Sequence, residues 1–270
     1  DHRDLHSFPT RRSSDLEEQI ELLRKADTYV PKDGVIRDSL GRALSNLAVI
    51  KGKQGKTDEQ IALLKESLEM LPNDSIVKKN LAAAYNNQAI NTPGMKHADR
   101  LALLDAALKL DPKNQTTLGN ISTTLLKQAV DEFKSGGSSK AISLLERAIK
   151  TDPSNKAAQS NLAVVYHNEA VKKGGEGKYD EEIQLLNKAL SLAGSNKTIK
   201  SDLALAYNDQ AVTAGKKGDH KQELNLLMKA SKLDAENPVI KENLQKVKQR
   251  EVTKDKKPET GATSKKKQDS

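Results

Sequence analysis

Residues 183–194 read IQLLNKALSLAG, and the same phrase returns along the chain at a nearly constant distance. Counterparts of its first residue, Ile183, stand at Ile20, Ile61, Leu101, Ile142 and Leu224, so the six anchors are 41, 40, 41, 41 and 41 residues apart. Most copies end at Pro or Gly, residues that interrupt helices. A repeat of this size predicts a linear array of stacked units, a solenoid, rather than one globular core.

Each repeat contains two amphipathic phrases. In the quoted phrase apolar residues recur at i, i+3 and i+7, as in Ile183, Leu186 and Leu190, which predicts a helix, here called helix B. The upstream phrase NLAVVYHNEAV at 161–171 has apolar residues at offsets 1, 5, 9 and 10 from its first residue, which predicts a second helix with one buried stripe, helix A. Short connections rich in Gly, Pro, Ser and Asp require antiparallel packing. We therefore predict an all-α fold of antiparallel helix pairs.

The ends of the chain differ from its middle. Residues 1–16, DHRDLHSFPTRRSSDL, resemble residue for residue one translated frame of a common short-read sequencing adapter, and we predict that they are a non-native artefact. The array is predicted over residues 17–250, from a lone helix B at 17–29 to an A-type capping helix that begins at Pro238. With the native start expected to be missing, the localisation is left open.

Charge is concentrated at the carboxyl end. The net charge is +8, and residues 241–270 hold ten basic and five acidic groups, a balance of +5. We predict that residues 251–270 form a disordered Lys-rich tail. Binding of nucleic acid or an anionic membrane through this tail is an alternative. The absence of cysteine excludes disulfides and thiolate metal sites.

The apolar and small residues of the repeats resemble those of the tetratricopeptide repeat family. The resemblance is carried by Asn161, Leu162, Ala163 and Tyr166 in helix A and by Leu186 and Ala189 in helix B, with equivalents over residues 17–250. It implies a right-handed α-solenoid whose A helices line a concave surface that binds other proteins.

Two departures from the family pattern carry structural expectations. The period is 41 residues instead of about 34, and the extra residues fall where Ala170 and Val171 extend the apolar stripe, so helix A should be longer than usual. The small Ala that opens helix B in the family is kept only at Ala141. Large residues replace it elsewhere, and the crossing of the two helices should therefore have moved: Gln60, Arg100, Glu182 and Glu223.

Residues that could support catalysis are sparse. Outside residues 1–16 the histidines are His97, His167 and His220, more than fifty residues apart, which does not suggest a metal site. The segment GGEGKYD lacks a preceding strand and a following Ser or Thr, so it is not expected to be a phosphate loop. We predict that the chain is not an enzyme and holds no cofactor and no metal.

Two polar columns on the A helices are the candidate binding residues. Seven residues are close to two helical turns, so both columns should lie on one face of each A helix, and carboxamides there can bond an extended peptide backbone. The first column is Ser39, Asn80, Asn120, Asn161, Asp202 and Asn243, and the second is Asn46, Asn87, Lys127, Asn168 and Asp209. For the first column, hydrogen bonding within the stack is an equal alternative.

The predicted function is a scaffold that binds a peptide or helix of a protein partner in the groove lined by the A helices. The family's clamp for chaperone carboxyl termini is not expected, because Lys79 is the only basic residue immediately before the first column. Two alternatives stay open: self-assembly into homo-oligomers, and an adaptor segment of a longer enzyme or complex. The identity of the partner is not predicted.

Overall fold

The computed structural model describes residues 13–255, which form twelve helices and contain no strand. The predicted all-α fold class, a solenoid of antiparallel helix pairs, is confirmed. The helices are α1 (Ser13–Tyr29), α2 (Gly34–Lys53), α3 (Thr57–Met70), α4 (Ser75–Asn91), α5 (His97–Leu110), α6 (Gln115–Lys134), α7 (Ser138–Thr151), α8 (Lys156–Gly175), α9 (Tyr179–Ala193), α10 (Lys197–Lys216), α11 (His220–Leu233) and α12 (Pro238–Asp255). Even-numbered helices are the A helices and odd-numbered ones the B helices.

The A helices are longer than the B helices, as the 41-residue period predicts. From α2 to α10 the A helices have 17 to 20 residues, whereas α3, α5, α7 and α11 have 14 and α9 has 15. The additional turn buries an alanine at offset 9 in every repeat. These alanines have no exposed surface: Ala48, Ala89, Ala129, Ala170 and Ala211.

Each A helix begins at the same kind of residue. An Asp or Asn side chain just before the helix accepts hydrogen bonds from backbone N–H groups of the first turn, which have no partner inside the helix. These caps recur with the repeat period: Asp33, Asp74, Asn114, Asn155, Asn196 and Asn237. Between A and B helices a glycine with positive φ forms the turn, as at Gly55 (φ 77°) and Gly218 (φ 83°).

Contacts divide the chain into two compact units. The first comprises residues 1–132 and 143–158, of which the structure describes residues from 13 onward. Its core contains a cluster of Leu16, Ile20 and Leu44 between α1 and α2, and a second cluster around Leu64 and Leu81 on α3 and α4. Consecutive helices from α1 to α5 pack against each other, so each cluster is shared by neighbours in the chain.

The second unit comprises residues 133–142 and 159–270, described as far as residue 255. One cluster joins Ala211 of α10, Leu227 of α11 and Val247 of α12. Another joins Ala204, Ala230 and Ile240 on the same three helices. The last A helix therefore packs on the preceding pair by its apolar face, and Lys241, Lys246 and Lys248 are exposed beside that face.

In three of the four repeats whose B helix opens with a large residue, the A helix has glycine at the crossing; the exception is the repeat with Arg100. A Cβ built on Gly174 would lie 2.5 Å from Glu182 Oε1, and one on Gly215 would lie 2.5 Å from Glu223 Cδ. Gly52 approaches Gln60 in the same way. The small residue that the family has on helix B thus lies on helix A in these repeats. A close crossing needs only one of the two facing side chains to be small.

The described helices extend beyond two of the predicted boundaries. Helix α1 begins at Ser13, inside the adapter-like segment, and Leu16 is buried in the first core cluster. Helix α12 continues to Asp255, so residues 251–255 of the predicted tail are helical. Residues 1–12 and the rest of the tail, 256–270, lie outside the described part of the chain. Within that part, none of the helices combines the length and apolar character that crossing a membrane requires.

Candidate binding surface on the A helices

Exposure separates the two polar columns. Every residue of the first column, from Ser39 to Asn243, is partly buried. Every residue of the second column is exposed: Asn46, Asn87, Lys127, Asn168 and Asp209. Although both columns lie on the A helices, only the second presents its side chains to solvent in all repeats.

The first column forms hydrogen bonds between successive A helices. Asn120 Nδ2 donates to Asn86 Oδ1 over 2.8 Å, and Asn243 Nδ2 donates to Asn208 Oδ1 over the same distance. Asp202 takes part as an acceptor, with its Oδ2 2.6 Å from His167 Nε2. At these three positions the polar side chain bonds within the stack, which is the alternative that the sequence left open. Asn80 and Asn161 occupy equivalent, partly buried positions.

A third polar column, at offset 6 of the A helices, supplies the partners of the first. Its members with polar side chains are Ser45, Asn86, His167 and Asn208. The last three bond to first-column residues that lie 34 or 35 residues further along the chain: Asn120, Asp202 and Asn243. Sequence reasoning missed this column because it looked for groups that face a ligand. Its repetition directly before the second column is the signal that could have identified it.

The prediction that offset 10 belongs to the buried stripe is wrong in four of five repeats; in the fifth, Val130 is partly buried. Val49 is 38% exposed, Ile90 45%, Val171 55% and Val212 36%. Offsets 1, 5 and 9 follow one another by four residues and turn inward together, whereas offset 10 lies one residue, about 100°, further round the helix. It is three residues after the second column and therefore lies beside it.

Aliphatic residues also lie on the other side of the second column. Offset 3, four residues before it, carries Ala83, Val164 and Leu205, all exposed, with Leu205 at 37%. In the second unit the exposed face of the A helices thus has a polar row between two apolar rows. In the first unit the row at offset 3 is mixed, with Arg42, Ala83 and Thr123. Sequence reasoning found the polar row and assigned one of the apolar rows to the core.

The electrostatic character of this face differs between the units. In the first unit the second column ends in Lys127, whereas in the second unit it contains Asp209, which accepts a hydrogen bond from Asn208 Nδ2 at 3.1 Å. Glu182 of α9 lies close enough to Asp209 for the two carboxylates to interact electrostatically. Burial raises the pKa of Glu182 to about 7, and the carboxylates of Asp209 and Asp202 add to the rise.

The histidines pair singly with carboxylates. His97 Nε2 lies 3.0 Å from Asp131 Oδ2, His167 pairs with Asp202, and His220 Nδ1 lies 3.1 Å from Glu223 Oε2. Among residues 13–255 no group of three or more His, Cys, Asp or Glu side chains has the arrangement of a metal site. The pairs act as structural contacts between helices or within one turn.

The model of the tetratricopeptide repeat family matches residues 126–197. This stretch runs from within α6 to the start of α10 and contains two complete B phrases, one complete A phrase and the end of another. The chain contains tetratricopeptide repeats. The same kinds of cap, buried alanine and helix pair recur in the rest of the described chain. Arrays of this kind are interaction modules, and in that general sense the tetratricopeptide chain is a protein-interaction scaffold.

Several solved structures are similar to this tetratricopeptide chain at low identity. A TPR repeats protein from Bacteroides fragilis NCTC 9343 has 16% identity and a TM-score of 0.39, with 78% of this chain and 98% of that protein covered. YrrB, described as a TPR protein with an unusual peptide-binding site, has 15% identity and a TM-score of 0.27, with coverage of 84% and 99%. Yeast Tom70 has 16% identity and a TM-score of 0.28, with coverage of 90% and 53%. At TM-scores below 0.5 these similarities carry no argument about binding. No curated protein sequence matches the chain.

Proposed function

We propose that the exposed face of the A helices binds a peptide or helix of a protein partner, and that the chain acts as a non-enzymatic scaffold. The observation that supports this is the polar row at offset 7, exposed in every repeat and bordered by exposed aliphatic residues. A row of this composition can bond a backbone and cover apolar side chains at the same time.

The carboxamides are suited to hold a backbone. Asn46, Asn87 and Asn168 each offer an acceptor oxygen and two donor hydrogens, which match the N–H and C=O groups of an extended chain whatever its side chains are. The neighbouring aliphatic residues, such as Val171 and Ile90, would then lose exposed surface to apolar side chains of the partner. Because the helices are ordered before binding, little conformational entropy is lost from the scaffold.

The test is a comparison of three forms of the chain for capture of a partner and for its affinity. The first is the parent and the second carries Asn46→Ala, Asn87→Ala and Asn168→Ala. A matched control carries Asn73→Ala, Asn187→Ala and Asn225→Ala, which remove three exposed asparagines outside the A helices. Exposed substitutions of this kind change stability by only about 0.5 kcal/mol or less each, so all three forms should stay folded by circular dichroism.

We expect a partner captured by the parent to be held by the control and lost by the second-column variant. Each lost hydrogen bond contributes about 0.5–1.5 kcal/mol, so the affinity should fall about tenfold or more. Equal affinity for the variant and the control would contradict the proposal and direct attention to other surfaces of the chain.

Self-assembly is a second candidate, favoured by exposed apolar residues on and after α1. Leu22 is 60% exposed, Tyr29 86% and Val30 53%. We expect the sedimentation coefficient of the parent to rise with concentration and that of Leu22→Lys to stay constant. Met228→Lys, which replaces an exposed apolar residue on α11, serves as the control. A constant sedimentation coefficient for the parent over the micromolar range would rule out this candidate.

A further inference from the structure

An open apolar pocket lies between α3, α4 and α5 in the first unit, and none of its lining residues belongs to the second column. It has a volume of about 450 Å³, and its apolar walls are Leu68, Leu81, Tyr85, Ala106 and Leu110. Two of its three walls are B helices, so it does not belong to the A-helix face proposed above. A pocket of this size can enclose one large side chain.

Other repeats of the same chain place a long side chain at the equivalent position. Lys188 Nζ lies 5.4 Å from the centroid of the Tyr166 ring, and Lys229 Nζ lies 5.5 Å from that of Tyr207. Both lysines are five residues after the anchor of their B helix, at Ile183 and Leu224. Five residues after Leu101 the chain has Ala106 instead. Ala106 therefore lacks the four-carbon side chain that approaches the tyrosine ring in two other repeats.

The rim of the pocket has an excess of positive charge. Lys65 and Lys109 border it together with a single carboxylate, Glu69. Lys65 Nζ lies 5.8 Å from the centroid of the Tyr85 ring. Within residues 13–255 neither lysine has an ion-pair partner. Two unpaired ammonium groups beside an apolar cavity favour a ligand with carboxylates next to an aliphatic group.

We infer that this pocket docks an aliphatic side chain, leucine or a residue of similar size, from a partner segment with acidic residues on both sides. The aliphatic group takes the place of the lysine stem found in the other two repeats. The flanking carboxylates lie near Lys65 and Lys109, which discriminates against basic segments. This gives the chain a second interaction surface, formed mainly by B helices.

The experiment uses the full chain with labelled leucine methyl groups and three peptides. The probes are acetyl-Glu-Asp-Leu-Glu-Asp-amide, the same peptide with alanine in place of leucine, and acetyl-Lys-Lys-Leu-Lys-Lys-amide. The leucine-containing acidic peptide should shift the methyl signals of Leu68, Leu81 and Leu110 saturably. The alanine peptide should bind about tenfold more weakly or worse, because it buries less apolar surface. The basic peptide should not shift these signals.

Two lysine substitutions on α5 distinguish the effect of filling the pocket on peptide binding from the effect of an added positive charge. Ala106→Lys reproduces the arrangement of Lys188 over Tyr166 and should abolish binding while the chain stays folded. Ala102→Lys adds the same charge on the same helix at an exposed position and should retain binding. The double variant Lys65→Gln, Lys109→Gln should bind more weakly and with a smaller dependence on salt.

The inference is overturned if no probe shifts these signals, if the leucine and alanine peptides bind equally, or if Ala106→Lys binds as well as Ala102→Lys. Concentration-dependent dimerisation that Ala106→Lys removes would also overturn it, because a second copy of the chain would then be the occupant. Failure of the second-column variant to affect partner capture has no bearing on this pocket, since the two surfaces share no residue.

Discussion

At the residue scale, Glu182 is a group whose pKa the fold raises. It lies beneath Gly174, partly buried, and its pKa is raised to about 7 by burial and by Asp209 and Asp202. In the unfolded chain it titrates near 4.5. The native state therefore keeps this proton to a higher pH than the unfolded state does. Its contribution to stability decreases as the pH rises from about 4.5 to about 7 and is constant above that range.

We predict that Glu182→Gln stabilises the chain at pH 8 and has no effect at pH 4. Solvent screens a partly exposed group, so we expect a rise in Tm of about 2–4 °C at pH 8, the shift that about 1 kcal/mol produces in a chain of this size. The measurement is thermal unfolding followed by circular dichroism at both pH values. Glu181→Gln is the control, because this neighbour is exposed and pairs with Lys173 at 3.0 Å. A Tm for Glu182→Gln equal to that of the parent at pH 8 would contradict the prediction.

At the element scale, α12 is held on α11 by a charged contact as well as by its apolar face. Arg250 Nη2 donates to Glu223 Oε1 over 2.9 Å, and the Glu223 side chain is only 8% exposed. Gly215 on α10 leaves the space that this carboxylate occupies. A buried carboxylate oxygen that loses its donor carries an unbalanced desolvation cost, although Oε2 of Glu223 keeps its contact with His220 Nδ1. The contact therefore contributes to the docking of the last A helix.

We predict that Arg250→Ala lowers the free energy of unfolding by about 1–3 kcal/mol, because Glu223 is left buried without this donor. Lys248→Ala, at an exposed position of the same helix, should change it by about 0.5 kcal/mol or less. Urea unfolding followed by circular dichroism measures both, and hydrogen exchange should become faster in α12 for Arg250→Ala alone. Equal midpoints for the two variants would assign the docking of α12 to Ile240 and Val247 only.

At the scale of the whole molecule, stability is distributed along a chain of neighbouring contacts. Each of the four core clusters described above joins helices that are consecutive in sequence. In an array of this kind the stability is approximately a sum of terms from each repeat and its neighbours. Damage to one cluster should therefore stay local.

We predict that Leu64→Ala destabilises the first unit by about 2–5 kcal/mol, because Leu64 is fully buried in the cluster between α3 and α4. Hydrogen exchange measured by mass spectrometry should become faster in α2 to α5 and remain unchanged in α10 to α12. Leu227→Ala, which removes a 1% exposed leucine from the second unit, should give the opposite pattern. Uniform acceleration over both units would show that the chain unfolds as one cooperative body.

The sequence alone was sufficient to predict the helical character of the chain, the number of helix pairs, the long A helices and the burial of Ala170 and its equivalents. These properties depend on periodicity and on residues that are close together in the chain, and this information is present in the local sequence. The repeat also identified Asn87 and Asn168 as one column. Whether that column is exposed depends on which other helices cover its face, and this information is not local.

Only the tertiary structure decided which polar residues face solvent and which bond to a neighbouring helix. Asn120 and Asn87 have the same side chain and both recur with the repeat, yet Asn120 bonds to Asn86 on the preceding A helix and Asn87 is exposed. Helical periodicity in the sequence placed Val171 in the buried stripe, because it gives the direction of a side chain around its own helix. It does not give the position of the neighbouring helices that would cover that side chain. The pocket at Ala106 likewise exists only because three helices meet there and one of them lacks a long side chain.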